Sequence, residues 1–144
     1  MSEHEMKRLR RVYAAFERWD FDQLEESVSH DMELILPDAV PFGGRRHGHD
    51  GIRSFARLFQ DHLDAGFAEP DDFLDAGDRI VVVGRIRGRS KKTGRDFEVP
   101  FAHVWGFSDG VPSECRSYFD TAPVNAALGW SPPTQALTPR RRAG

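Results

Sequence analysis

The stretch from Thr93 to Asp120 constrains this sequence more than any other, because it predicts a β-hairpin with one apolar face. Two long alternating segments flank the turn Ser108-Asp109-Gly110, whose glycine can take the left-handed conformation of a three-residue loop. Successive side chains of a strand point to opposite faces, so the apolar and aromatic side chains collect on one of them. That face is predicted to carry Phe97, Val99, Phe101, His103, Trp105, Cys115, Ser117 and Phe119.

His103 is the single titratable nitrogen base on that face, and the length of the turn decides what it faces across the hairpin. If Phe107 pairs with Val111, the register places His103 opposite Cys115. Acidic and basic side chains occupy the other face. The hairpin therefore predicts a buried apolar surface with one histidine near its middle.

The segment from Arg79 to Arg89 is predicted to pair with the first strand of this hairpin. One register matches Arg87 with Glu98 on the outer face and Ile86 with Val99 on the inner face. Two independent patterns, charge and hydrophobicity, select that register. It also places Gly84 and Gly88 opposite large aromatic side chains, so we expect the sheet to be bent and hollow there.

Helices and short strands are predicted on either side of these strands. Apolar residues at helical spacing predict a first helix, and the pair Asp20 and Gln23 has the spacing of a capping box that begins a second. Further along come a strand over Met32 to Leu36, a polar loop over Pro37 to Gly48, a helix over Asp50 to Leu63, an edge strand over Phe67 to Ala76, and a short helix that ends at Gly129.

Helices that cover one face of an antiparallel sheet make an α+β domain. We expect one domain over residues 1–130, with a curved antiparallel sheet wrapped around N-terminal helices in a cone-shaped fold. Residues 131–144 are rich in Pro and Arg and are predicted to be a flexible tail. A concave sheet closed by helices leaves an internal pocket, the usual place for a small ligand.

Composition excludes several classes of protein. The chain has 144 residues, a net charge of −3 and one cysteine, so neither a disulfide framework nor a multi-cysteine metal site is expected. No basic stripe alternates with aromatic residues, and no long apolar run is present, so we expect no nucleic-acid partner and no membrane partner. His47 and His49 with Asp50 lack convincing metal-ligand spacing. A cytoplasmic protein without metal or cofactor is predicted.

Several short motifs carry a resemblance to a known family. They are Asp20 with Asp31, Gly48-His49-Asp50-Gly51-Ile52, Thr93-Gly94-Arg95, Tyr118-Phe119-Asp120 and Leu128-Gly129. In this order and spacing, over roughly residues 5–129, the chain resembles the nuclear transport factor 2-like superfamily, and best its SnoaL-like and ketosteroid isomerase-like branch. The resemblance implies a cone-shaped fold, a homodimer and a small-molecule pocket. One fold hosts many chemistries, so it implies no single reaction.

The resemblance also assigns roles to individual positions. His103 falls where ketosteroid isomerases place the aspartic acid of their oxyanion hole. Leu36 falls at their general base and Val12, next to Tyr13, at their oxyanion-hole tyrosine, so their known route is not expected here. Asp120 matches the aspartate that SnoaL-like cyclases carry near the end of the last strand.

We therefore predict His103 and Asp120 as catalytic residues of a cofactor-free isomerase or cyclase that acts on a hydrophobic, carbonyl-bearing molecule, polyketide-like or steroid-like. The alternative is a non-catalytic binding or dimerisation module that uses the same pocket. His103 could instead be a core histidine bonded to Ser117, and Asp120 could instead cap the last helix. The predicted substrate-binding residues are Tyr13, Trp19, Leu36, Phe55, Phe59, Ile86, Phe101, Trp105, Cys115, Ser117 and Phe119.

Overall fold

The computed structural model describes residues 3–133, which form four helices and one six-stranded sheet. The predicted tail over 131–144 lies mostly outside the described residues. The helices are α1 (Glu3–Glu17), α2 (Phe21–Glu26), α3 (Gly48–His62) and α4 (Thr121–Leu128). The strands are β1 (Glu33–Leu36), β2 (Gly44–His47), β3 (Leu63–Asp75), β4 (Arg79–Ser90), β5 (Asp96–Ser108) and β6 (Val111–Phe119).

The sheet has the order β2-β1-β6-β5-β4-β3, and within the described chain only β1 and β6 run parallel. It is curled without closing, and the helices pack on its concave face, so the predicted α+β fold is confirmed. β3 lies at the sheet edge, as Pro70 predicts, and its register shifts beside that proline. None of the helices in residues 3–133 has the length and apolar composition needed to cross a membrane.

The start of α2 and the end of α4 lie where the sequence predicts their caps. The carboxylate of Asp20 accepts a hydrogen bond from the backbone N–H of Gln23 at 3.1 Å and caps α2. At the other end of the chain, Gly129 closes α4 with a φ of 63°. α1 buries the predicted stripe, with Leu9, Val12 and Tyr13 inside the core.

The register predicted between β4 and β5 is confirmed. Arg87 pairs with Glu98 on the outer face, and their side chains are joined at 3.1 Å between Nε and Oε1. Ile86 pairs with Val99 on the inner face. The exposed ion pairs contribute little stability, so their effect is to disfavour other registers.

The predicted pairing of β5 with β6 is wrong by two residues. The turn has two residues instead of three: Asp109 and Gly110 both have positive φ, 51° and 76°, as in the turns that favour tight hairpins. A β-bulge after Gly106 then adds one residue on β6. His103 therefore lies opposite Ser117, and Trp105 opposite Cys115. Because the displacement is even, every side chain stays on its predicted face.

Residues 37–48, predicted as a loop, include a strand, β2, which pairs with β1. Its sequence, Gly-Arg-Arg-His, has no apolar alternation because the strand lies at the sheet edge and half of its side chains are exposed. α3 also begins at Gly48, two residues before the predicted start. Backbone pairing, which the side-chain pattern does not record, explains both differences.

The sheet is not hollow at the two inner-face glycines. A methyl group on Gly84 would lie 2.0 Å from the carbonyl oxygen of Glu69, and one on Gly88 would lie 2.4 Å from the ring of Phe97. Backbone and aromatic rings fill the space that the missing side chains leave. These glycines allow close packing rather than create the pocket.

We expect Gly84→Ala to lower the free energy of unfolding by about 2 kcal/mol or more, because the new methyl group meets backbone that cannot move aside. Urea unfolding measures the change. Gly106→Ala is the matched control, since its methyl would approach the mobile guanidinium of Arg79 at 3.0 Å and should cost about 1 kcal/mol or less. Equal losses in the two variants would contradict the packing argument.

Candidate ligand-binding site

An internal cavity of about 100 Å³ lies between the concave face of the sheet and the helices. Its wall is almost wholly apolar. Ten of the predicted substrate-site or catalytic residues line it: Tyr13, Leu36, Phe55, Phe59, Ile86, His103, Trp105, Cys115, Ser117 and Phe119. Side chains from α1, α3, β1, β4, β5 and β6 thus converge on one space.

About half of the residues of the wall were not among the predicted site residues. These residues are Val12, Phe16, Leu24, Val28, Met32, Leu34, Phe42, Ile52, Ala68, Phe97 and Val124. Most of them belong to the apolar stripes that predicted the helices and strands, so their burial was foreseeable. Which buried residues border empty space depends on how helix and sheet meet, and the stripes carry no signal for that.

Phe101 and Trp19 are not part of the wall. The ring of Phe101 lies behind His103, with ring centroids 4.1 Å apart and planes inclined by 33°. Trp19 has a φ of 56° in the turn after α1, and its indole N–H donates to the carbonyl of Gly66 at 2.5 Å. Both residues support the site from outside.

Asp120 does not reach the cavity. Its exposed carboxylate accepts a hydrogen bond from the backbone N–H of Ala122 at 3.2 Å and caps α4. Only a bulge near this end of the hairpin could have turned it inward, and the single bulge between β5 and β6 lies at the far end, after Gly106. Asp120 therefore has the capping position that was its alternative role, and it is not part of the cavity wall.

His103 is bonded to Tyr13 rather than to Ser117. The Tyr13 hydroxyl lies 2.7 Å from Nδ1 of His103, and the indole N–H of Trp105 donates to the same hydroxyl at 2.8 Å. The rings of Tyr13 and His103 are nearly parallel, with centroids 5.8 Å apart. Three residues from α1 and β5 thus form one buried hydrogen-bonded chain.

The imidazole of His103 is neutral at pH 7. Burial in the apolar wall disfavours the charged form and lowers the pKa of His103 to about 3. No carboxylate of residues 3–133 lines the cavity, and Asp120 caps α4, so no nearby negative charge opposes this shift. Desolvation therefore decides the protonation state.

The other two ionisable groups of the wall are also uncharged. Burial is the main cause that raises the pKa of the Cys115 thiol and that of the Tyr13 hydroxyl. Cys115 lies opposite Trp105 and is a protonated thiol within the core, so no thiolate is available as a nucleophile.

Two polar side-chain atoms of residues that line the cavity have no hydrogen-bond partner among residues 3–133. No residue within 3–133 makes a hydrogen bond with Nε2 of His103 or with Oγ of Ser117, and neither is among the fully buried atoms that lack a partner. Both residues line the cavity, whose wall is otherwise apolar. These two side chains hold the unpartnered hydrogen-bonding groups among the described residues of the wall.

No cluster of metal-ligating side chains is found among residues 3–133. His47 pairs with Glu33 at 2.9 Å, and His49 bonds the carbonyl of Val28 at 3.0 Å. These two histidines hold neighbouring segments together.

A sequence profile described as the SnoaL-like domain matches residues 9–111. The chain belongs to the SnoaL-like family. No curated protein matches the sequence significantly. The SnoaL-like assignment agrees with the fold and with the position of the cavity under the sheet.

Solved structures with the same fold support this assignment. An NTF2-like protein of unknown function from Burkholderia pseudomallei is 33% identical, with a TM-score of 0.81 over 89% of this chain and 98% of that one. A protein with a ketosteroid isomerase-like fold from Catenulispora acidiphila is 16% identical, with a TM-score of 0.75 over 87% and 97%. A putative polyketide cyclase from Xanthomonas campestris is 19% identical, with a TM-score of 0.72 over 88% and 97%. The last two show a shared fold alone.

We expect His103 to make the protein less stable in acid. The unfolded histidine has a pKa near 6.5 and the folded one a pKa of about 3, so the unfolded state binds the proton first as the pH falls. The stability is complete above about pH 6.5 and is lost by about 1.4 kcal/mol per pH unit below it.

Urea unfolding of the native protein and of His103→Gln between about pH 7 and about pH 4 tests this expectation. The native protein should lose about 3 kcal/mol more than the variant over that range. His4→Gln, at an exposed position of α1, is the control and should follow the native protein. Parallel curves for the native protein and His103→Gln would show that His103 titrates normally when folded.

Proposed function

We propose that this protein binds a small, neutral, hydrophobic molecule with a carbonyl group and acts on it as a cofactor-free isomerase or cyclase. One observation carries the proposal: an apolar cavity whose wall holds one neutral imidazole with a free ring nitrogen. Apolar walls favour apolar ligands, and a few convergent polar groups set their orientation. The wall has no charged group, so an ionic ligand would lose its hydration without gaining an ion-pair partner.

The size of the cavity narrows the class of molecule. An apolar cavity of about 150 Å³ holds benzene. A space of about 100 Å³ therefore fits a short chain or a single small ring. A molecule of steroid or polyketide size would need the wall to move apart.

The chemistry assigned to His103 is polarisation of the carbonyl oxygen. A general base works best with a pKa near the working pH, and the pKa of His103 lies about four units lower than pH 7. A neutral imidazole can instead donate a hydrogen bond to a carbonyl. That bond makes the neighbouring C–H more acidic and the carbonyl carbon more electrophilic. Both effects favour isomerisation and ring closure.

Solved structures show that related folds hold small molecules. One is described as a complex with trimethylamine and another, TerC, as co-crystallised with polyporic acid. These proteins are 16% and 24% identical to this chain. They support a small-molecule pocket as a use of the fold, and the ligand class proposed here rests on the residues of this cavity.

A non-catalytic binding module is the second candidate function. It is favoured by the wall itself, because no Asp or Glu among residues 3–133 lines the cavity and His103 has no acidic partner. Such a module would use the same hydrogen bond for affinity alone. Turnover and affinity, measured separately, distinguish the two functions.

The test begins with mass spectrometry of the native protein, to identify a bound small molecule, and continues with the affinity and turnover of that molecule. We expect His103→Phe to lower kcat by about 10²–10³-fold, as the loss of one oxyanion-directed donor does. His103→Gln should lose less, because its amide can donate to the same oxygen. His4→Phe is the control: it makes the same substitution at an exposed position of α1 outside the cavity wall, so its kcat should stay close to that of the native protein.

Each alternative has its own outcome. If affinity falls in His103→Phe and no turnover is found with the native protein, the protein is a binding module. If turnover survives in His103→Phe with the fold intact, His103 has no part in the chemistry.

We also propose a homodimer formed through the outer face of the sheet. Val81, Val83, Ala102 and Val104 are partly exposed there, between the charged pairs, and 55% of the Tyr118 surface is open to solvent. Light scattering at micromolar concentration should return about twice the chain mass of 16.3 kDa. Val83→Glu should weaken the dimer, because two like charges would face each other across the symmetric contact. A mass near that of one chain for the native protein would exclude it.

A further inference from the structure

The hydrogen-bonded chain beneath the cavity has a direction that its chemistry fixes. The indole nitrogen of Trp105 can only donate, so the oxygen of Tyr13 accepts that bond at 2.8 Å. The phenolic hydrogen of Tyr13 then needs an acceptor of its own. Nδ1 of His103, 2.7 Å away, is the acceptor that the described residues offer.

This direction determines where His103 carries its proton. A neutral imidazole has one donor and one acceptor nitrogen. Since Nδ1 accepts from Tyr13, the proton is on Nε2, the ring nitrogen that has no partner within residues 3–133, in a residue that lines the cavity. Trp105 and Tyr13 thus determine that Nε2 of His103 is protonated, although neither residue forms a hydrogen bond with that atom.

The opposite tautomer is disfavoured by the same three residues. With the proton on Nδ1, the oxygen of Tyr13 would accept two hydrogen bonds, and its own hydrogen would have no acceptor within the described chain. Leaving a buried donor without a partner costs enough to shift the tautomer ratio by on the order of ten- to a hundredfold.

We propose that Trp105 and Tyr13 are positioning residues that hold His103 in its Nε2–H tautomer, so that the cavity selects neutral molecules carrying a hydrogen-bond acceptor such as a ketone or aldehyde oxygen. The selection of ligands rests on the proposed function, whereas the tautomer does not. Ser117 Oγ, on the strand opposite, can add a second hydrogen bond to the same oxygen. A ligand whose only polar group is a donor would meet the N–H of His103 without a partner.

Nitrogen NMR of the His103 ring tests the tautomer in the full chain at neutral pH, without any ligand. A protonated and an unprotonated ring nitrogen have well-separated ¹⁵N shifts. We expect the unprotonated signal at Nδ1 and the protonated one at Nε2. A protonated Nδ1 in the native protein would overturn the proposal.

Tyr13→Phe keeps the ring of Tyr13 and removes its hydroxyl. We expect the Nδ1 signal to move toward the protonated value, because nothing then binds its lone pair. Phe73→Leu is the matched control: Phe73 packs edge-on against the Tyr13 ring, with centroids 5.8 Å apart, and takes no part in the hydrogen bonds. A ¹⁵N pattern that is the same in native, Tyr13→Phe and Phe73→Leu proteins would reduce Tyr13 to a packing residue and overturn the positioning role.

Two isosteric small molecules test whether the cavity prefers ligands that carry a hydrogen-bond acceptor. Cyclopentanone carries an acceptor oxygen where methylenecyclopentane carries a CH₂ group, and the two rings have nearly the same size and shape. Calorimetry or ligand-observed NMR should show a preference for the ketone that is about tenfold larger in the native protein than in His103→Phe, the value of one well-formed hydrogen bond. Equal preferences in the two proteins would overturn the selection.

The two kinds of failure can be told apart. If the Nε2–H tautomer is found and neither probe binds, the proposed function and the selection of ligands fail together, and the positioning role is supported. If the ketone is preferred while Nδ1 carries the proton, the proposed binding is supported and the positioning role is overturned.

Discussion

The pairing of β5 with β6 is the constraint on which the rest of the structure depends. Compared with a hairpin that has a three-residue turn and no bulge, the two-residue turn at Asp109-Gly110 displaces the register by one residue, and the bulge after Gly106 displaces it by one more. Either change alone would turn the side chains of β6 to the other face. Together they restore the alternation, so Cys115 and Ser117 face the helices beside His103. The cavity wall exists because two irregularities of the hairpin compensate each other.

How much the sequence predicts depends on the range of the interaction. Alternation and helical spacing are local, and they predicted the sheet faces, the register of β4 with β5 and the helix caps. The charge pair Arg87–Glu98 was readable because both partners lie on adjacent strands with a short connection. Features that depend on backbone pairing alone, such as β2 at the sheet edge, leave no hydrophobic pattern and were missed.

At the candidate site, too, the sequence predicted local features but not contacts between distant residues. Nine of the eleven predicted substrate-binding residues line the cavity, because facing inward is a local property of a strand or helix. The bond between Tyr13 and His103 joins residues 90 positions apart, and no spacing rule connects them. Ser117 was the partner in the alternative interpretation of His103 as a core residue, because both side chains were predicted on the same face of the hairpin. In the structure the partner of His103 is the hydroxyl of Tyr13 on α1, and the register of the sheet cannot predict that contact.

The balance of energies at position 103 bears on the kind of chemistry that the cavity can support. A pKa of about 3 means that charging the buried imidazole costs about 5 kcal/mol more than charging it in water. At neutral pH the charged form is then about one molecule in 10⁴, too rare to serve as the resting state of an acid catalyst. The neutral ring keeps Nδ1 bonded to Tyr13 and leaves one free polar nitrogen in a wall that is otherwise apolar.

That free nitrogen is a cost to folding. A phenylalanine at position 103 would pack against Phe101 and would remove the open nitrogen, but it would also take the acceptor from the Tyr13 hydroxyl. The chain of Trp105 and Tyr13 gives a hydrogen-bond partner to only one of the two ring nitrogens of His103. Nδ1 is bonded and Nε2 has no partner among the described residues. A buried polar group that its own protein satisfies on one side is complete only when something in the cavity satisfies the other. A ligand oxygen at Nε2 would supply that partner, and this connects the unfavourable burial of His103 with the binding of a small molecule.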